Sequence, residues 1–181
     1  MPFPAKTSPE TILASAIEII EQHGIEALSM RALAETLGIK APSLYRHYPD
    51  RAALEGALCD AIATRLHDAL ETVRNGRKPA PALRAAARAY LEFVRAHRAL
   101  YDLYSMRPQP SSGPSKRLWE LLLALVGGLT GNADDTASAV AVWSYLHGFV
   151  SLERTGAFGS SGEAGGFDTG LEALIRGLKR A

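Results

Sequence analysis

Apolar residues recur along the chain at three- and four-residue spacing, and no stretch alternates with a period of two, so the pattern predicts an all-α protein. Ile12, Leu13, Ala16, Ile19 and Ile20 form the stripe of a first helix. Ser8 stands as its N-cap, Pro9 sits in the first turn, where a missing N–H costs nothing, and Gly24 ends it. A second, short helix starts at Ser29, turns Met30, Leu33, Ala34 and Leu37 inward and stops at Gly38. After a few residues a third runs from about Ala41 to Tyr48 and buries Leu44; Pro49 closes it by disfavouring a helical residue before itself. Asp50 can cap a fourth helix, whose seam is Leu54, Leu58, Ile62, Leu66 and Leu70. Arg74, Arg77 and Lys78 near its end suit the negative pole of the helix dipole.

Beyond Pro79 and Pro81 the period resumes with Leu83, Ala87, Tyr90, Leu91 and Val94. Arg84, Arg88, Glu92 and Arg95 read as a solvated outer face with pairing along the helix. A short helix over His97 to Met106 follows, then a mobile loop from Arg107 to Pro114. Two strong helices are expected over Ser115 to Leu129 and Asp134 to Arg154. A flexible Gly/Ser-rich connection from Gly156 to Gly166 leads to a last stripe of Leu171, Leu174, Ile175 and Leu178.

Composition changes this picture little. Hydrophobic residues make up 47% of the 181, and no apolar run is long enough to span a bilayer, so no membrane partner is expected. The first six residues lack the apolar core of a signal peptide, and a cytoplasmic location is the expectation. Cys59 is the single cysteine, which excludes an intramolecular disulfide, and no Cys/His spacing suggests a metal site or other cofactor. The net charge of +1 argues at first against nucleic acid. Charge is local, however: from Ser29 to Arg51 the ionised residues are Arg31, Glu35, Lys40, Arg46, Asp50 and Arg51, a cationic excess.

Two short helices joined by a tight Gly-containing turn make a helix-turn-helix, whose second helix can enter the major groove of DNA. Here that helix is Lys40 to Tyr48. Ser43, Tyr45, Arg46 and His47 supply short or hydrogen-bonding side chains suited to base edges and phosphates, while Leu44 belongs to the core.

The run from Ser29 to Ile39, then Ser43-Leu44-Tyr45-Arg46-His47-Tyr48 and Asp50-Arg51-Ala52-Ala53-Leu54, resembles the DNA-binding signature of TetR-family transcriptional regulators. The likeness extends over about Ser8 to Leu58. It implies phosphate or sugar contacts by Tyr45, Tyr48 and Arg51, backbone contacts by Ser29 and Arg31, and base reading by Ala41, Pro42, Ser43 and Arg46. Arg46 is able to make bidentate contacts to guanine. For Tyr45 and Tyr48, packing between helices is the competing reading. Lys40 departs from the family, which commonly has Ser or Thr there, so the usual N-cap is missing at a cost of about 0.5–2 kcal/mol; its ammonium is available to a phosphate instead.

One such module reads half of a palindrome, so two copies about 34–36 Å apart are required, and a homodimer is expected. The last two helices are the candidates, through Val140, Leu146, Val150, Leu171, Leu174 and Leu178, which could alternatively face their own core. Trp143-Ser144-Tyr145-Leu146-His147-Gly148 is similar to a Trp-His-Gly signature of one group of TetR-type C-terminal domains. A glycine inside a helix costs about 1 kcal/mol against alanine, so Gly148 suggests close helix approach. The resemblance also implies a small-molecule inducer cavity, with Leu66, Tyr90, Phe93, Tyr101, Tyr104, Trp119, Leu122, Trp143 and His147 as candidate lining. Simple core packing is the alternative for the aromatics, and an interface hydrogen bond for His147. With no pair of carboxylates there, a neutral or weakly polar apolar ligand is expected.

The fold class is therefore all-α: a three-helix helix-turn-helix domain over residues 1–50 and a helical bundle for ligand binding and dimerisation over 51–181. No Ser, His and acidic spacing suggests catalysis. The expected function is a repressor released from a palindromic double-stranded DNA operator by a small apolar ligand. A ligand-sequestering or adaptor protein of the same fold is the alternative.

Overall fold

Ser8 begins the first helix as the sequence dictates: the Thr11 N–H donates to Ser8 Oγ at 3.2 Å, and Pro9 occupies the first turn of α1 (Pro9–His23). Gly24 ends it at φ +81°, with its N–H on the Ile20 carbonyl. The structure is a computed structural model and describes residues 8–107, 113–161 and 163–179. A 3-10 turn (Ile25–Ala27) precedes α2 (Met30–Thr36), α3 (Ala41–Tyr45) and α4 (Arg51–Arg74). Then come α5 (Pro79–Ala96), α6 (Arg98–Ser105), α7 (Gly113–Thr130), α8 (Thr136–Arg154), a second 3-10 turn (Gly159–Ser161) and α9 (Gly166–Leu178). There is no strand among the described residues. Most of the segment read as a mobile loop, residues 108–112, and the N-terminal residues 1–7 lie outside the described residues.

The helices pack as two compact units. One takes the described residues up to Arg65 together with His97–Ser115; the other takes Leu66–Ala96 and the chain from Lys116 onward. The packing boundary thus lies inside α4 rather than at residue 50. In the first unit α1 packs on α2 and on α6. The reason is α6's apolar face: Leu100, Tyr101, Leu103 and Tyr104 are all buried, as are Ile12, Ala16 and Ile20 of α1 and Leu28. Each such side chain removed from water contributes about 1.5–3 kcal/mol, enough to bring a short helix back to the N-terminal helices.

In the second unit α5 packs on α8 and α9, and α8 on α9. Here the reading of α5's charged face as pairing along its own helix is corrected. Arg84 forks onto Glu172 of α9, with Nη2 at 2.9 Å from Oε2, and Arg88 binds Asp168 at 3.0 Å. Arg95 holds Glu153 of α8 and, at 3.2 Å, Glu163 of the connection. The row is a clamp on its neighbours, because the guanidinium fork matches a carboxylate two bonds at a time. At the end of α4, Arg77 Nε donates to the Val73 carbonyl at 2.6 Å, a side chain serving an unpaired helix C-terminal oxygen.

Gly148 does not mark a close approach within the chain: a Cβ there would meet nothing within 4 Å. Gly170 does. A Cβ on it would lie 2.6–2.8 Å from the Tyr145 ring and hydroxyl, and that hydroxyl donates to the Phe167 carbonyl at 2.6 Å. The Gly/Ser-rich connection starts in a defined turn: Gly156, at φ +70°, and Ala157 donate to the Glu153 and Leu152 carbonyls. These are the paired bonds of a Schellman C-cap.

Candidate nucleic-acid interface

The helix-turn-helix is held by three local devices. Ser29 Oγ accepts the Ala32 N–H at 3.0 Å, capping α2. At the other end Gly38 adopts φ +64°; its N–H reaches the Glu35 carbonyl at 3.1 Å, and the Ile39 N–H reaches Ala34 at 3.0 Å. This Schellman turn satisfies the last α2 carbonyls and sends the chain into α3, and its left-handed residue is a glycine for steric reasons. Leu33, Ala34 and Leu44 then seat α3 on α2 from inside.

α3 is shorter than the expected Lys40 to Tyr48. It ends at Tyr45, after which His47 and Tyr48 both donate to the Leu44 carbonyl at 2.9 Å. Pro49 forces the exit, since the residue before a proline is driven out of the helical region. Lys40 occupies the N-cap without a side-chain bond. A capping oxygen normally takes the N–H of the second or third helical residue. Here the second, Pro42, has none, and the third, Ser43, donates to the Lys40 carbonyl at 2.8 Å. The missing cap therefore leaves neither usual recipient unsatisfied.

Pro42, Tyr45, Arg46 and His47 are exposed, Tyr45 by 48%, with Ala41 and Ser43 half-buried beside them. Lys40 is exposed at the start of the same helix. Tyr48 departs from the expectation of a phosphate contact. Its side chain is buried, its hydroxyl lies 3.5 Å from the Pro9 carbonyl, and burial raises its pKa, with the Glu10 charge adding to the effect. Packing onto α1 is what this ring does. Arg31 is exposed and paired with Glu35 at 2.9 Å, and the Ser29 oxygen is engaged as a cap. Asp50 Oδ1 accepts the Ala53 N–H at 2.7 Å, fixing the first turn of α4, where Arg51 binds Glu55 at 2.6 Å.

Residues 12–58 match the family model of bacterial regulatory proteins of the tetR family, and residues 83–178 that of the tetracyclin repressor-like C-terminal domain. The chain belongs to the TetR family of DNA-binding transcriptional regulators. Over 98% of its length this TetR-family chain is 30% identical to an uncharacterized HTH-type transcriptional regulator of Mycobacterium tuberculosis, of which the match covers 84%. It is 28% identical to the class A tetracycline repressor protein of Escherichia coli, over 97% of this chain and 79% of the repressor. A solved structure of a protein of unknown function from Rhodococcus sp. RHA1 shares the fold with a TM-score of 0.82 at 23% identity, covering 98% of this chain and all of that one.

The nine candidate ligand residues of this TetR-family regulator are divided between the two units. Tyr101 and Tyr104 belong to the first unit and the other seven to the second. Leu66, Tyr90, Phe93 and Leu122 are buried in the second unit. Trp119, Trp143 and His147 are half-buried, with Trp143 edge-on to Tyr90 at 6.1 Å and stacked on His147 at 6.3 Å. Three surface clefts of that unit, of about 170, 170 and 280 Å³, are lined by none of the nine.

Among the expected interface residues, Leu146, Val150 and Leu171 are buried in their own unit, because α8 and α9 of one chain already pack together. Val140 is exposed by 48%, and Leu174 and Leu178 are half-buried. The sequence reading missed Leu152, exposed by 51%, which continues Val140, Ser144 and Gly148 in a row at four-residue spacing along α8. Its signal was that spacing, masked by the stronger apolar stripe beside it. Glu55, a buried carboxylate beside Arg51, was also missed. A glutamate four residues after an arginine reads as an ordinary exposed helix pair.

Proposed function

We propose that this regulator is a repressor that reads a palindromic operator as a homodimer through α3 and is released by a small apolar ligand. The exposed face of α3 carries the reading: Leu44 alone anchors the helix in the core, while Pro42, Tyr45, Arg46 and His47 are exposed. Base reading falls to Ala41, Pro42, Ser43 and Arg46, and phosphate contacts to Tyr45, Lys40 and Arg51. Dimerisation uses the α8 row of exposed Val140, Ser144 and Leu152 with the half-buried Gly148, joined by Leu174 and Leu178 of α9, in an isologous four-helix contact. The tetracycline repressor among the relatives supports repression lifted by a small molecule. Such a ligand acts by binding the DNA-incompetent arrangement more tightly than the competent one.

Footprinting on DNA flanking the gene, followed by gel shifts at varied salt, tests this function. A palindrome-selective, salt-sensitive shift is expected. Absence of any sequence-selective shift would refute it. Operator affinity that stays constant with every apolar ligand tried would refute the release step.

A further inference from the structure

Glu55 and Ser115 are the polar or charged residues buried among the described part of the chain. Glu55 lies one turn into α4, and both its oxygens meet cations: Oε1 accepts from Arg51 Nε at 2.6 Å, and Oε2 contacts the Arg107 guanidinium, two residues beyond α6. A carboxylate whose side chain is 8% exposed is costly to ionise alone, and two guanidinium groups offset that cost. The Arg51 side chain remains 47% exposed. With Nε committed to Glu55, the other donors of its fork remain for a further acceptor.

We propose that Glu55 is a positioning residue for DNA binding, fixing the Arg51 guanidinium at the head of α4 for an operator phosphate while Arg107 keeps the carboxylate from cancelling its charge. This rests on the phosphate contact assigned above to Arg51. A free arginine side chain loses rotamer entropy when it is ordered, and one already held by a carboxylate has lost most of it before DNA arrives. The three charges sum to +1, so the cluster still favours a phosphate.

Two readings of Glu55 give opposite signs. If it were only a negative charge near DNA, Glu55→Gln would raise the local charge and tighten binding. As a positioning residue, its loss frees Arg51 and weakens binding. The test uses the full chain and a labelled duplex that the wild-type protein selects from random-sequence DNA, with Kd read by anisotropy across a salt series and folding checked by thermal melting. Arg51→Ala should weaken binding and flatten the log–log salt slope by about two per dimer. Glu55→Gln should weaken it by roughly fivefold or more, in line with loss of a charged hydrogen bond. In the Arg51→Ala background it should add almost nothing. Arg107→Ala should also weaken binding and Arg107→Lys restore most of it, a pair that carries the test if the Glu55 variant fails to fold. Tighter or unchanged binding by Glu55→Gln, or an effect that multiplies independently with Arg51→Ala, would overturn the proposal while leaving the phosphate contact intact. Unchanged Kd and slope for Arg51→Ala would instead refute that contact, and the positioning role with it.

Discussion

Replacing Gly170 by alanine gives a test of the α8–α9 contact in which two terms oppose. Alanine favours the helix by about 1 kcal/mol over glycine. The added methyl, however, falls 2.6 Å from the Tyr145 hydroxyl and 2.7–2.8 Å from its ring carbons, closer than any real contact. Tyr145 must therefore swing away from the Phe167 carbonyl that its hydroxyl reaches at 2.6 Å and from the Phe149 and Phe167 rings, 6.3 and 5.9 Å from its own. Overpacking costs about 1–3 kcal/mol and the lost hydrogen bond about 1 kcal/mol. The net loss is about 2 kcal/mol, which lowers Tm by about 4–8 °C for a chain of this length. Melting is compared at one protein concentration, since a dimer's Tm varies with it. In a Tyr145→Ala background the penalty should vanish and Gly170→Ala should stabilise. A Tm at or above wild type for the single variant, or the same loss without the tyrosine, would refute the reasoning.

Four further outcomes are expected. Arg46→Ala should relax base preference at one position of each half-site by about 1–3 kcal/mol, scored by selection from degenerate duplexes; uniform weakening on all sequences would count against base reading. Lys40→Ser should barely move Tm, because Pro42 has no N–H to cap, yet should weaken DNA binding on every sequence and flatten the salt dependence. Gly148→Ala, whose methyl meets nothing in its own chain, should raise the dimer dissociation constant in sedimentation runs; an unchanged constant would remove Gly148 from the interface. The Cys59 thiol is pushed up to about 11 by burial, with the Asp60 charge adding to it, so the folded state holds the proton longer than the unfolded one. Its stabilising contribution is complete below the ordinary thiol range and fades as pH rises through 9 to 11. By pH 10 wild type should have lost about 1 kcal/mol more than Cys59→Ala in urea melts, and parallel profiles would rule the contribution out.

Features that act within a few residues were legible in the sequence. Ser8, Ser29 and Asp50 cap their helices, and Gly38 turns the chain between α2 and α3, each through bonds spanning five residues or fewer. What failed was the identity of distant partners. Apolar periodicity marks a stripe to be covered without saying whether the cover is the same chain or a second copy, hence the reassignment of Leu146, Val150 and Leu171 to the internal core. The α5 arginines find carboxylates 58 to 88 residues away, separations with no local trace. Tyr48 has an apolar body and a polar tip, so its residue type fits a phosphate and a core equally, and only the position of α1 decides. Gly148 and Gly170 look alike in sequence and differ only in what stands opposite them.

The way α3 is mounted also bears on how such a regulator changes its target over generations. Its angle is set by main-chain bonds at Gly38 and by the single buried side chain of Leu44, so the outward side chains after Pro42 carry little of the folding energy. A mutation at the exposed Arg46 is thus little felt by stability and visible to the operator. A duplicated copy of the gene could drift to a new DNA sequence through folded intermediates, one outward residue at a time.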